Sequence, residues 1–147
     1  MNSIFAALVL LALPGIAQAE SNFFALPIDS GAGLFRQCSR EAPRQPEILW
    51  SPTPEQIAAL EHGLEPYLKT NSPRPLESPL TKFRRQYIGF TKDGKRYIYG
   101  NFYVASLHPK NEDTQAVVVC DGGSLFCGVV YDVESETFQD LKFNGFA

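Results

Sequence analysis

The residues able to do chemistry are few and scattered. Two histidines, His62 and His108, stand far apart, and neither has a serine, a cysteine and an acid arranged around it as a nucleophilic triad. Asp121-Gly122-Gly123-Ser124 invites attention because glycines let a ligand approach the main chain, although Asp-Gly-Gly between strands is first of all turn chemistry. Asp121 with Asp132, or Asp121 with His108, is the one combination that would suit a hydrolase, given a cleft to bring the pair together. Cys120 and Cys127, with a distant Cys38, fit no zinc spacing, so no metal and no cofactor is expected. Nucleotide-loop, serine-hydrolase and zinc-protease motifs are absent from the sequence.

A second constellation is basic and aromatic. Between residues 83 and 103 lie Phe83, Tyr87, Phe90, Tyr97, Tyr99, Phe102 and Tyr103, interleaved with Arg84, Arg85, Lys92, Lys95 and Arg96. A surface for an anionic polymer, an acidic glycan or an acidic protein would use such residues, with Arg84, Arg85, Tyr87, Tyr97, Tyr99 and Tyr103 as its binding set. Rings turned to a core and cations turned to water explain the same pattern more simply. From residue 110 onward seven acids face two lysines, so cross-strand pairing between the two halves is the expected use of the asymmetry.

These residues need elements to hold them. Residues 4–13 are an apolar run of ten, too short to span a bilayer, followed by Pro14-Gly15 and the small-x-small pattern Ala17-Gln18-Ala19. This is the layout of a secretory signal over residues 1–19, and it implies a periplasmic or secreted mature chain of 128 residues without a transmembrane segment. In an oxidising compartment three cysteines make at most one internal bridge. Three pairings are possible; Cys120–Cys127 would close only a small loop, whereas Cys38–Cys120 ties the proline-rich arm to the sheet through a loop of about 80 residues and is favoured, with Cys127 left as a small buried residue.

Nine of the 11 prolines fall between Pro27 and Pro79. Residues 20–53 therefore read as an extended proline-rich arm, with a short strand at Asn22–Leu26 and a turn or link at Ser30–Gly33. The single α+β domain, residues 54–147, begins with a helix. Thr53 is a suitable N-cap, Pro54 a suitable first residue, and Ile57, Leu60, Leu64 and Leu68 make one apolar stripe. Pro66 predicts an end at residue 65, with one further turn allowed to Thr70. Two hairpins and a last strand follow: 82–91 with 95–107 around Asp93-Gly94, 114–120 with 125–132 around Asp121–Ser124, and 137–143. For the first hairpin two registers are open, facing Tyr87 with Gly100 or with Tyr99. The expected architecture is one helix packed on a twisted antiparallel sheet of about five strands.

The tracts QCSR (37–40), YIYGNFY (97–103), VVCDGG (118–123), GVVYD (128–132) and FNGFA (143–147) resemble a group of small exported proteins of Gram-negative bacteria. The resemblance implies an α+β envelope protein, is compatible with the Cys38–Cys120 bridge, and supplies no catalytic residue. Its net charge of -3 gives no reason to expect a nucleic-acid partner. The expected function is a non-enzymatic binding protein, of inhibitor or immunity type, with an envelope protein as partner; the alternative is a small envelope hydrolase or glycan-processing enzyme.

Overall fold

The computed structural model describes residues 21–146 apart from 74, 75 and 77. The signal segment expected over residues 1–19 lies outside the described residues. The architecture is mixed α/β: six strands in one sheet and one long helix. The strands are β1 (Phe23–Ala25), β2 (Ile48–Trp50), β3 (Phe83–Lys92), β4 (Lys95–Val104), β5 (Phe126–Asp132) and β6 (Thr137–Phe143). The helices are a short α1 (Ile28–Gly31) and the long α2 (Pro54–Asn71).

β3 to β6 run up and down in sequence order, each antiparallel to the last. The outer edge of β3 is shared end to end by two short strands. β1 pairs in parallel with Arg85–Tyr87, and β2 pairs antiparallel with Gly89–Thr91. The proline-rich stretch is thus stitched into the sheet. Its Ser30–Gly33 segment, expected as a turn or link, is helical instead, with α1 running into a 3-10 turn at Ala32–Phe35. Gly31 lies against the Ile88 side chain and Leu34 is fully buried, so packing on β3 holds that segment in place.

The β3–β4 turn selects between the two open registers. Asp93 and Gly94 both hold positive φ (51° and 73°), the signature of a two-residue type I′ turn, and Lys92 faces Lys95. Tyr87 therefore faces Gly100, and its ring lies over the glycine where a side chain would otherwise stand.

The second hairpin expected around Asp121–Ser124 does not form. Residues 114–120 contain no strand, because β4 and β6 already occupy both edges of β5. The backbone of this segment is satisfied by side chains: Val117 donates its N–H to Gln86 Oε1 (2.8 Å), and its carbonyl accepts from Asn101 Nδ2 (2.9 Å).

α2 begins as its sequence predicts. Thr53 Oγ1 accepts from Gln56 N–H (3.3 Å) and Gln56 Oε1 accepts from Thr53 N–H (2.9 Å), a reciprocal capping box. It then continues through Pro66 to Asn71, beyond the expected end at 65. A mid-helix proline costs about 3 kcal/mol. Against that, Leu68 is 4% exposed, a burial worth roughly 1.5–3 kcal/mol, and Tyr67 stacks on Phe138 at 4.9 Å. The tertiary contacts beyond the proline hold the last turn.

The sheet divides the core. Ile57, Leu60, Leu64 and Leu68 of α2 meet Phe83, Tyr87, Ile98, Phe102, Cys127, Val129 and Tyr131 on one face. On the other, Leu26 and Leu34 from the N-terminal stretch meet Ile88, Phe90, Tyr99 and Val130.

Candidate functional site

The six residues predicted as a binding set do not form one exposed face. Strand alternation sends Arg85 and Tyr87 to the α2 side, and Arg84, Tyr97, Tyr99 and Tyr103 to the other. Tyr87, Tyr99 and Tyr103 are buried, and Arg85 is 6% exposed. Each buried member belongs to a polar cluster that fastens a neighbouring segment.

Arg85 grips Glu61 of α2 with both fork nitrogens, Nε to Oε1 at 2.7 Å and Nη2 to Oε2 at 3.0 Å. The Tyr87 hydroxyl donates to the same Oε1 at 2.6 Å, and Arg85 Nη1 donates to the carbonyl of Phe83 at 2.9 Å. Burial, and after it the Glu61 carboxylate, holds the Tyr87 phenol well above its ordinary pKa, so it remains a donor. Across the sheet Arg84 pairs with Glu112 and lies over the Phe24 ring, 5.0 Å from its centre. Tyr103 donates to the other Glu112 oxygen at 2.7 Å, its phenol raised by burial and by that acceptor.

The third cluster centres on Arg40. Its guanidinium donates to Asn144 Oδ1, Asn101 Oδ1 and the Tyr99 hydroxyl. Asn144 Nδ2 in turn donates to the carbonyls of Val119 (2.7 Å) and Asp121 (2.8 Å). Cys38 and Cys120 are joined by a disulfide beside this network, with Cα atoms 5.3 Å apart, closing 82 residues of chain. Both bridge residues are exposed. Cys127 is fully buried and its thiol is pushed up to about 12 by burial, so it stays protonated and unreactive.

Glu61, Gln86, Asn101 and Asn144 were not singled out by sequence reasoning. Gln86 and Asn101 did carry a signal. Each interrupts an aromatic strand, and a polar residue at such a position must find partners inside the protein.

One open groove lies on the face away from α2. Its volume is about 340 Å³. The chain at Glu41–Arg44 forms one wall, and Phe90, Tyr97, Tyr99 and Val130 supply the floor. Lys92 and Asp93 stand at the hairpin end, and Gln139, Asp140 and Lys142 of β6 at the opposite end. Because Tyr99 faces Val130, and Val130 faces Gln139, the groove runs across the strands from β3 to β6. Phe90, Tyr99 and Val130 are buried, whereas Tyr97 is only partly so. Of the predicted binding residues, Tyr97 alone keeps a substantially open surface here.

Asp121 and Asp132 are not brought together. Asp121 precedes β5 and Asp132 ends it, so the seven-residue strand separates them by about 20 Å at ~3.3 Å per residue. A carboxylate pair for glycoside chemistry needs about 5–9.5 Å. Asp132 instead caps the β5–β6 turn by accepting from the N–H groups of Glu134 (2.9 Å) and Ser135 (3.1 Å). Asp121 serves through its carbonyl, in a left-handed conformation with φ 75°. His108, also left-handed (φ 42°), donates its N–H to Ala105 O at 3.3 Å in closing the 105–107 turn. His62 lies on α2. Among the described residues no cluster of three or more His, Cys, Asp or Glu could hold a metal, and no helix is long and apolar enough to cross a membrane.

No protein-family model, no curated protein and no solved structure matches this chain.

Proposed function

We propose that this chain is an exported, non-enzymatic binding protein of the cell envelope, akin to the small exported proteins its tracts resemble, and that the groove floored by Tyr97 is its binding site. The carrying observation is the groove itself, a cavity of about 340 Å³ with an aromatic floor and a rim of charged side chains, walled on one side by Glu41–Arg44. Its size falls within the roughly 300–1,000 Å³ range of ligand sites. The disulfide supports export, because such bridges persist in oxidising compartments. The wide separation of Asp121 and Asp132 weighs against the glycan-hydrolase alternative. An inhibitor or immunity role, with an envelope protein as partner, is a narrower form of the same reading.

The test is retention of envelope components by the immobilised, disulfide-intact protein. Retention by wild type that falls at least tenfold with Tyr97→Ala is the expected result. Equal retention by both would remove the groove from the function. Turnover of an ester or peptidoglycan substrate, abolished by Asp121→Asn in a folded protein, would establish the enzyme reading instead.

A further inference from the structure

We infer that the groove is a saccharide site, taking a neutral, hydroxyl-rich sugar ring against Tyr97. This rests on the binding-protein reading above and names its ligand class.

Tyr97 is a ring held in place before any ligand arrives. It stacks on Phe90 with centroids 5.3 Å apart and an interplanar angle of 25°. Phe35 meets Phe90 edge-on at 5.5 Å and 79°. A ring braced in this way loses little freedom on binding. Its face carries the negative part of the aromatic quadrupole, which suits the weakly positive C–H bonds on one side of a sugar ring.

The rim decides the charge of the ligand. Glu41, Asp93 and Asp140 line it with Arg44, Lys92 and Lys142, and Glu41 and Arg44 are already paired with each other at 2.9 Å. The balance is zero. An acidic polymer would meet the three carboxylates, and a basic one the three cations. A hydroxyl is both donor and acceptor, so a sugar can be satisfied by both signs at once. The acidic ligands expected from the basic hairpin are therefore disfavoured at this site.

The direction of the groove disfavours a peptide that binds by adding a strand. A peptide gains most of its affinity in sheet recognition by adding a strand to an open edge through main-chain hydrogen bonds. This groove crosses the strands over their side chains, so a peptide lying in it would leave its amide groups facing a ring and scattered side chains. Each such amide left unpaired on burial is costly. A saccharide carries no repeating main-chain requirement of this kind.

Amide-shift NMR titration of the disulfide-intact protein distinguishes the cases. The probes are neutral cello-, chito- and malto-tetraoses, a tetragalacturonate and a glutamate-rich peptide. At least one neutral tetraose is expected to give saturable shifts confined to residues 41–44, 90–99 and 139–142. Its Kd should rise tenfold or more with Tyr97→Ala and stay within about threefold of wild type with Tyr97→Phe, both variants keeping the wild-type dispersion of the remaining amides. Tighter binding of the uronate would overturn the neutral ligand. Peptide binding indifferent to Tyr97→Ala would make this a protein-docking face and overturn the sugar. Silence with every neutral probe overturns the inference too. If envelope retention still depends on Tyr97 in these last cases, the binding-protein reading survives without it.

Discussion

On one face of the sheet an 18-residue helix lays four apolar side chains across the strands; on the other, a chain with little regular structure covers only part of the surface. A helix presents a continuous stripe, so a single element closes its face by apolar burial. The N-terminal stretch and residues 105–125 have no such stripe. They are held by side-chain hydrogen bonds from Arg40, Gln86, Asn101 and Asn144, and by the disulfide. The groove is what this second mode of closure leaves uncovered. A partner site is therefore easier to place on the irregularly covered face than on the helical one.

The strongest way to separate the faces is to cut the covalent link. Replacing Cys38 and Cys120 by alanine frees an 82-residue loop in the unfolded state, and the chain-entropy model puts the loss at about 4.5 kcal/mol. Denaturant unfolding measures it. Hydrogen exchange should rise at residues 36–44 and 111–122 while α2 keeps its protection. Equal loss of protection in α2 would show that the two faces open together, and the contrast would fail.

The helical face has one polar contact that can be broken. Glu61→Ala leaves Arg85 buried without its carboxylate, and a loss of about 3 kcal/mol is expected in thermal or urea unfolding. The same place bounds alkaline stability. Because burial raises the Tyr87 phenol in the folded state, the folded chain holds its proton longer than the unfolded chain does. That contribution is complete below the ordinary tyrosine pKa near 10 and declines as pH rises beyond it. Tyr87→Phe should flatten that decline.

Asn144→Ala removes one of the three acceptors of Arg40 and the donor to two carbonyls at once. A loss of about 2 kcal/mol is expected, with its exchange signature on the second face alone. The smallest effect belongs to Asp132→Asn. Backbone hydrogen bonding, chiefly from Ser135, holds the Asp132 carboxyl below its ordinary range. Its contribution is present above the ordinary aspartate pKa and is lost as pH falls through the lower folded value. Wild type and variant should differ slightly near neutral pH and converge in acid, with both faces responding alike.

Sequence reading reached different depths on the two faces. The cap at Thr53, the stripe at 57, 60, 64 and 68, and the Asp93-Gly94 turn are local patterns, and each appears at its predicted place. The end of α2 was misplaced because Pro66 is a local penalty, outweighed by contacts of Leu68 and Tyr67 with distant strands. The strand expected at 114–120 failed for a related reason. Its composition suits a strand, but both edges of β5, its expected partner, are taken by β4 and β6. In the groove Tyr97 was named from its type alone, and nothing local marked it as the one partly exposed among four tyrosines.

By itself the sequence determined the start and apolar stripe of the long helix, the first hairpin, the strands near 126–132 and 137–143 and the favoured cysteine pairing, because periodicity, turn residues and loop length act over short stretches or by counting. Only the tertiary structure decided that the proline-rich stretch adds β1 and β2 to β3, and that the arginines and tyrosines of the hairpin split between two faces. It also decided where Glu41–Arg44 stands off the sheet to leave a groove. Those outcomes depend on which distant segments compete for one edge or one face, a competition that no single stretch of sequence contains.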